Sequence, residues 1–291
     1  MATRYIATTG NDSNAGTEGS PWLTLSKGWT GSTTGDTIIV KAGTYTKSAA
    51  DSITTTAGNP KILTFTGEDG AIIDYNGFAS RFNFNAGEVN TLIFENITFK
   101  NGNGGTGTSY SVGWVVNGVG QGDKSCTITF DSCQILDMKY HRFMGMRGYG
   151  NQVNFTLTNS LIDGFQGYNS ASSELFLRSG TTDVWNITGN TIYMPTATYM
   201  YTNVFSLTNT AGTSTIKNNI FSMDGVMQYG TLTSGTLAID HNDFYNIAGS
   251  VPAVVTNGTG NITLDPLLVD PSNDNFNLRP PSPCIDSGVL I

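Results

Sequence analysis

Apolar and polar positions alternate in short bursts along this chain, and the bursts recur. Leu92 to Phe99 (LIFENITF), Thr127 to Leu136 (TITFDSCQIL), Val153 to Ile162 (VNFTLTNSLI), Val184 to Tyr193 (VWNITGNTIY), Ser214 to Phe221 (STIKNNIF) and Thr236 to Tyr245 (TLAIDHNDFY) all read this way. A period of two is the signature of a strand with one buried face. Gly, Asn, Ser and Thr separate the bursts, and no long helical period intervenes. Four of the bursts carry an Asn followed two places later by a large apolar residue: Asn159 and Leu161, Asn190 and Ile192, Asn218 and Ile220, Asn242 and Phe244. The steps between these asparagines are 31, 28 and 24 residues. Such steps are too long for a hairpin meander and too irregular for a propeller. They suit coils of two or three strands with loops of variable length. Stacked coils bring equivalent residues within about 4.8 Å, so the inward asparagines are expected to form an amide ladder. Cys133 and Ile97 hold the same place in earlier coils.

A second register lies between these segments. Trp114 to Asn117, Met144 to Arg147, Leu175 to Arg178 and Phe205 to Thr208 align, with apolar first and third residues facing in and the second and fourth facing out. At the start of the chain, Ser20-Pro21-Trp22-Leu23 is expected to open a short helix with Ser20 as cap, covering the exposed edge of the first coil. At the other end, Asp265 to Ile291 is proline-rich and is expected to wrap the last coil.

Composition narrows the classes. The chain has 291 residues, 12% charged and 11% aromatic, with 35 glycines and a net charge of −8. The glycines lack a three-residue period, which excludes collagen, and the aromatic content excludes a disordered chain. The negative charge argues against nucleic acid or acidic lipid as a partner. No apolar run is long enough to span a membrane, and MATRYIATTG shows no signal peptide. Cys126, Cys133 and Cys284 include no metal-type CxxC pair and are expected to be free, mostly buried thiols.

Both ends resemble a known family. Tyr5 to Thr17 (YIATTGNDSNAGT), Pro21 to Leu25 (PWLTL) and Gly35 to Tyr45 (GDTIIVKAGTY) resemble the opening of bacterial and phage β-helix proteins of the pectate-lyase-like superfamily. Asp265-Pro266, Asn275 to Leu278 (NFNL) and Ser282 to Gly288 (SPCIDSG) resemble their closing motif. The resemblance implies an all-β, right-handed parallel β-helix of about eight or nine coils. A short N-terminal capping helix and a loop-rich C-terminal wrap would complete a single domain over 1–291. Residues 1–45 would form the cap and first coil, 46–264 the coils and 265–291 the wrap. It also implies a glycan partner, because the family's polysaccharide lyases hold substrate along one stacked sheet and use a Lys or Arg base.

The candidate site residues follow from chemistry in the second register. Arg147 and Arg178 are expected to point outward from adjacent coils, where an anionic sugar group would relieve their repulsion through bidentate bonds. Solvent or Glu174 could do the same. Lys139, Tyr140, His141 and Arg142 lie just before the Arg147 strand. A Lys or His beside arginines is a candidate base at the sugar C5, and a solvated charged turn is the alternative. Lys139, His141, Arg147 and Arg178 are thus the catalytic candidates. Tyr140, Arg142, Glu174, Asn117, Thr208, Tyr168 and Phe176 are the substrate-binding ones. His241 sits in the asparagine register and reads as structural. Asp137 and Asp163 read as a stacked acid pair, a weak cation site or simple turn residues. No cofactor is demanded, with Ca²⁺ the one option.

The function expected is a glycan-directed enzyme, a lyase by β-elimination on an anionic polysaccharide ahead of a hydrolase. The alternatives are a non-catalytic glycan-binding adhesin or phage tail spike component, or a purely structural β-helix. An extracellular or virion-associated place fits these readings. The chain would be a monomer, or a trimer if a spike, with no nucleic-acid partner and no membrane insertion.

Overall fold

A computed structural model describes residues 1–49, 51–54, 61–78, 80–85, 90–103, 112–118, 126–139, 142–148, 153–164, 174–178, 184–194, 203–209, 213–223, 228–234, 237–249 and 253–289. The chain winds into a parallel β-helix with three long sheets. The first sheet has nine described strands, from Thr3–Ile6 and Thr37–Val40 through Cys126–Asp131 and Val153–Thr158 to Leu237–Asp240. The second has eight, from Gly43–Thr46 and Ala71–Asp74 through Gln134–Leu136 and Leu161–Asp163 to Asp243–Tyr245. The third has seven, among them Val112–Gly118, Arg142–Gly148, Glu174–Arg178 and Asn203–Asn209. Every pairing within these sheets is parallel, and each strand bonds its counterpart in the next coil, so the expected architecture is the one observed.

The alternating pattern fills the interior. Phe65, Phe94 and Phe130 occupy one register column and stack at centroid distances of 5.4 and 5.3 Å. Phe155, Trp185, Phe176, Phe205, Phe221 and Phe244 continue the aromatic core toward the C-terminal end. Offset and edge-on rings of this kind add to simple burial.

The capping helix forms four residues later than expected. It spans Leu25–Gly31, and Thr24 is the cap, its side chain accepting from the Lys27 N–H. Ser20 and Trp22 are instead held in bridges to Thr17 and Ile6, and the Asp12 carboxylate gathers the Leu23 and Thr24 N–H groups. At the other end of the helix the buried Lys61 ammonium donates to Trp29 O and Ser32 O, satisfying orphaned carbonyls.

The ladder exists, in a register one residue from the one expected at two coils. Its members are Asn190, Asn219, Asn242 and Asn261, with Ser160 and Cys133 before them. Asn219 and Asn242 each donate N–H and Nδ2 to the next amide oxygen at 2.8–3.1 Å. Each Nδ2 also caps a strand carbonyl of the preceding coil, as Asn219 does to Ile187 O at 2.8 Å. Asn159 and Asn218 occupy the preceding turn position, where φ is positive, together with Asn96, Ser132, Gly189 and His241. Asn and Gly tolerate that conformation, and His241 is there for the same turn.

The C-terminal residues lie on the outer face of the second sheet. Leu268–Asp270 and Asn275–Leu278 form an antiparallel hairpin, with Phe276 edge-on to Tyr193 at 5.5 Å. Asn218 Nδ2 donates to Val289 O, and Val289 N–H returns a bond to Asn218 Oδ1. All three cysteines are free, and burial pushes each thiol up to about 12. No helix among the described residues is long and apolar enough to cross a membrane.

Candidate functional site

Where the chain leaves the second sheet it must turn sharply toward the third. Asn76, Asn101 and Asp137 take left-handed backbone there, with φ of 50°, 59° and 52°. Asn and Asp reach that region most readily after Gly, because a short polar side chain bonds locally. These turns leave an open polar cleft of about 460 Å³ lined by Asn76, Asn101, Asn103, Asp137 and Lys139, with Gly77 and Gly102 between them. Lys139 is exposed at its rim, and its N–H donates to Gly102 O at 2.8 Å.

Asp74 holds two of the lining residues. It accepts from Asn101 Nδ2 at 3.0 Å and from the Asn76 N–H at 2.8 Å, and Lys100 lies 3.7 Å away. Burial alone would raise this carboxyl, but the two hydrogen bonds and Lys100 outweigh it and hold it below the ordinary range. Three coils on, Asp163 behaves in the opposite way. Burial, then the charges of Asp137 and Asp274, push it up to about 6. Asp137 is the nearer neighbour along the chain of coils, its N–H donating to Asp163 O at 3.0 Å. The two aspartates are close but not in one register position, since Asp163 pairs with Leu136. Among the described residues no three His, Cys, Asp or Glu side chains gather in a way that would hold a metal.

The expected arginine column does not form. Asn117 and Arg147 are register partners on adjacent coils, as read from the sequence. Arg178, however, pairs with Met146 on one side and Leu207 on the other. It therefore falls one residue out of the Arg147 column, whereas Thr208, one residue after the Leu207 that pairs with Arg178, stays in step with Arg147. The reason is Phe176. It pairs with Met144 and Phe205 and packs on Trp185 in the core, where the sequence reading had placed Leu175. Leu175 and Phe176 are both 0% exposed, so both faces of the sheet are buried here and alternation could not choose between them. Phe176 is consequently a core residue and not a substrate platform. Arg142 and Glu174 open their strands. Tyr140, His141 and Tyr168 lie outside the described residues.

No protein-family model matches the chain, and no curated protein sequence does. Among solved structures the chain is similar to a rhamnogalacturonan lyase, with 13% identity over 86% of this chain and 75% of that one, TM-score 0.30. It is similar to a mutant of the PL6-family alginate lyase AlyGC, with 12% identity over 84% and 39%, TM-score 0.34. It is also similar to pectate lyase Pel9A, with 14% identity over 100% and 92%, TM-score 0.30.

Sequence reasoning singled out Lys139 but not the asparagines that line the cleft with it. Their signal was present as Asn76-Gly77, Asn101-Gly102 and Asn103-Gly104 after predicted strands. Such pairs read first as turns, and here the turn residues are also the cleft lining.

Proposed function

We propose that this β-helix is directed at an anionic polysaccharide, which it holds in the cleft at Asn76, Asn101, Asn103, Asp137 and Lys139 and cleaves by β-elimination. The cleft itself carries the reading. Its volume of about 460 Å³ falls within the range of small-ligand sites, and amides, a carboxylate and an ammonium line it. Asn76, Asn101 and Asp137 are needed for their turns, so they alone would say little. Asn103 and Lys139 are not among the positive-φ residues, yet they converge on the same space.

Lys139, in its free-base form, would take the C5 proton of a uronate. The electrons of that C–H bond form the C4–C5 double bond, the C4–O bond breaks, and water protonates the leaving oxygen. The products are an unsaturated uronate and a new chain end, with no net oxidation. Absorbance near 235 nm against pectin, alginate, hyaluronan, heparinoid and capsule polysaccharides, with and without Ca²⁺, tests this. The reading expects a rise on one substrate and a loss of at least about 100-fold in K139M. A flat trace on every substrate, or an undiminished rate in K139M, would sink the elimination.

One observation favours a second reading, a glycan binder without catalysis. Arg147 and Arg178 occupy different register columns, so the stacked cationic array that elimination would use on the third sheet is missing. In that case the 235 nm signal is absent while one polysaccharide is still retained.

A further inference from the structure

We propose that a second cleft, between the second sheet and the C-terminal hairpin, is a separate sugar subsite that takes an acidic pyranose. For its ligand class this inference rests on the glycan-directed reading above. The cleft holds about 430 Å³ and is lined by Tyr193, Ser222, Tyr245, Asp265, Asp270 and Arg279. Tyr193, Ser222 and Tyr245 are register partners in three successive coils. The two tyrosines thus stand about 10 Å apart, twice the spacing of neighbouring strands, with only a serine between them. Their inward neighbours Ile192 and Phe244 are buried, so the column faces out. Phe276 braces the Tyr193 ring edge-on.

The two carboxylates of the cleft have neutral hydrogen-bond partners, and among the described residues its one cation is Arg279. Asp270 accepts from Ser272 Oγ at 2.7 Å and Asn273 Nδ2 at 2.8 Å. Asp265 accepts from the Leu267 N–H at 2.9 Å. The exposed Arg279 guanidinium makes no ion pair among the described residues, while its backbone is fixed by a bond from its N–H to Leu267 O at 2.8 Å. A guanidinium without an ion pair among the described residues, beside tyrosine faces, matches a ring with a carboxylate: the fork takes the carboxylate and Tyr245 takes the apolar face of the sugar. Both clefts lie along one edge of the β-helix. The turn residues Asn101, Asp137, Gly164, Met194 and Met223 lead from one to the other, each bonded from its N–H to the next coil. A polymer lying along the axis would reach both.

The test is a titration of the full chain with glucuronate and galacturonate, and with glucose and galactose as neutral counterparts, read by amide chemical shifts. The proposal expects saturable shifts at Tyr193, Tyr245, Asn246 and Arg279 from the uronates. It expects roughly tenfold weaker uronate binding in R279A and Y245S, with Y245F retaining it. No shift at these amides, equal response to the neutral sugars, or an unaffected R279A would overturn it. Shifts confined to Asn101, Asn103 and Lys139 would overturn the second subsite and leave the first cleft's reading standing. Shifts here with no polysaccharide cleaved or retained would do the reverse.

Discussion

Asp243 is a carboxyl held in a buried environment. Strand alternation puts it on the outer face of the second sheet, yet it is 3% exposed because C-terminal residues cover it. It accepts from Leu264 N–H at 3.2 Å and from the Cys284 thiol at 3.3 Å. Burial pushes the carboxyl up to about 7, with the Asp265 charge adding and the two hydrogen bonds opposing. A carboxyl with a raised folded-state value binds its proton more tightly folded than unfolded. Its contribution to stability is therefore complete below the ordinary value of 3.8 and fades as pH rises through about 7. His241, with a buried Nδ1 that has no partner among the described groups, lines the same small cavity. We expect D243N to be more stable than the parent at pH 8 by roughly 2–4 kcal/mol and to lose that advantage by pH 4. Urea midpoints at both pH values measure this, and curves that stay parallel would contradict it.

At the scale of the element, the amide ladder ties one coil to the next. Asn219 accepts from Asn190 N–H and Nδ2 and donates to Asn242 Oδ1 and Ile187 O. Removing its amide orphans several buried groups at once, so N219A should cost about 2–4 kcal/mol. N218G, one residue earlier, keeps the left-handed turn and loses only the exposed Val289 bonds, so it should cost less than half as much. Denaturation of both variants separates the observed register from the one the sequence suggested; equal losses would contradict the observed one.

That one-residue ambiguity shows how far pattern carries. The coils themselves were legible, because Ile128 and Phe130, and Phe155 and Leu157, alternate cleanly with polar neighbours. At Asn218-Asn219 two like residues are adjacent, and only the backbone turn decides which points inward. At Leu175-Phe176 both residues are apolar and both are buried, so the period of two has no phase there. Lys139 was legible as a charge beside a strand. The asparagines of its cleft were not, because the same residues serve the turn.

Over the whole molecule, a net charge of −8 would repel an anionic polymer at long range, so any hold on one must be local. In the proposed reading the cleft at Lys139 would supply short-range hydrogen bonds along an edge that runs parallel to the axis. Added salt should then weaken the interaction only modestly, in contrast to a polycation, whose affinity falls by orders of magnitude. The most direct measurement is retardation of the native chain in gels containing each polysaccharide of the panel, beside K139A and N103A. The account predicts that one anionic polysaccharide slows the parent and that both substitutions restore its mobility. Free migration in every gel, or retardation that both variants retain in full, would contradict it.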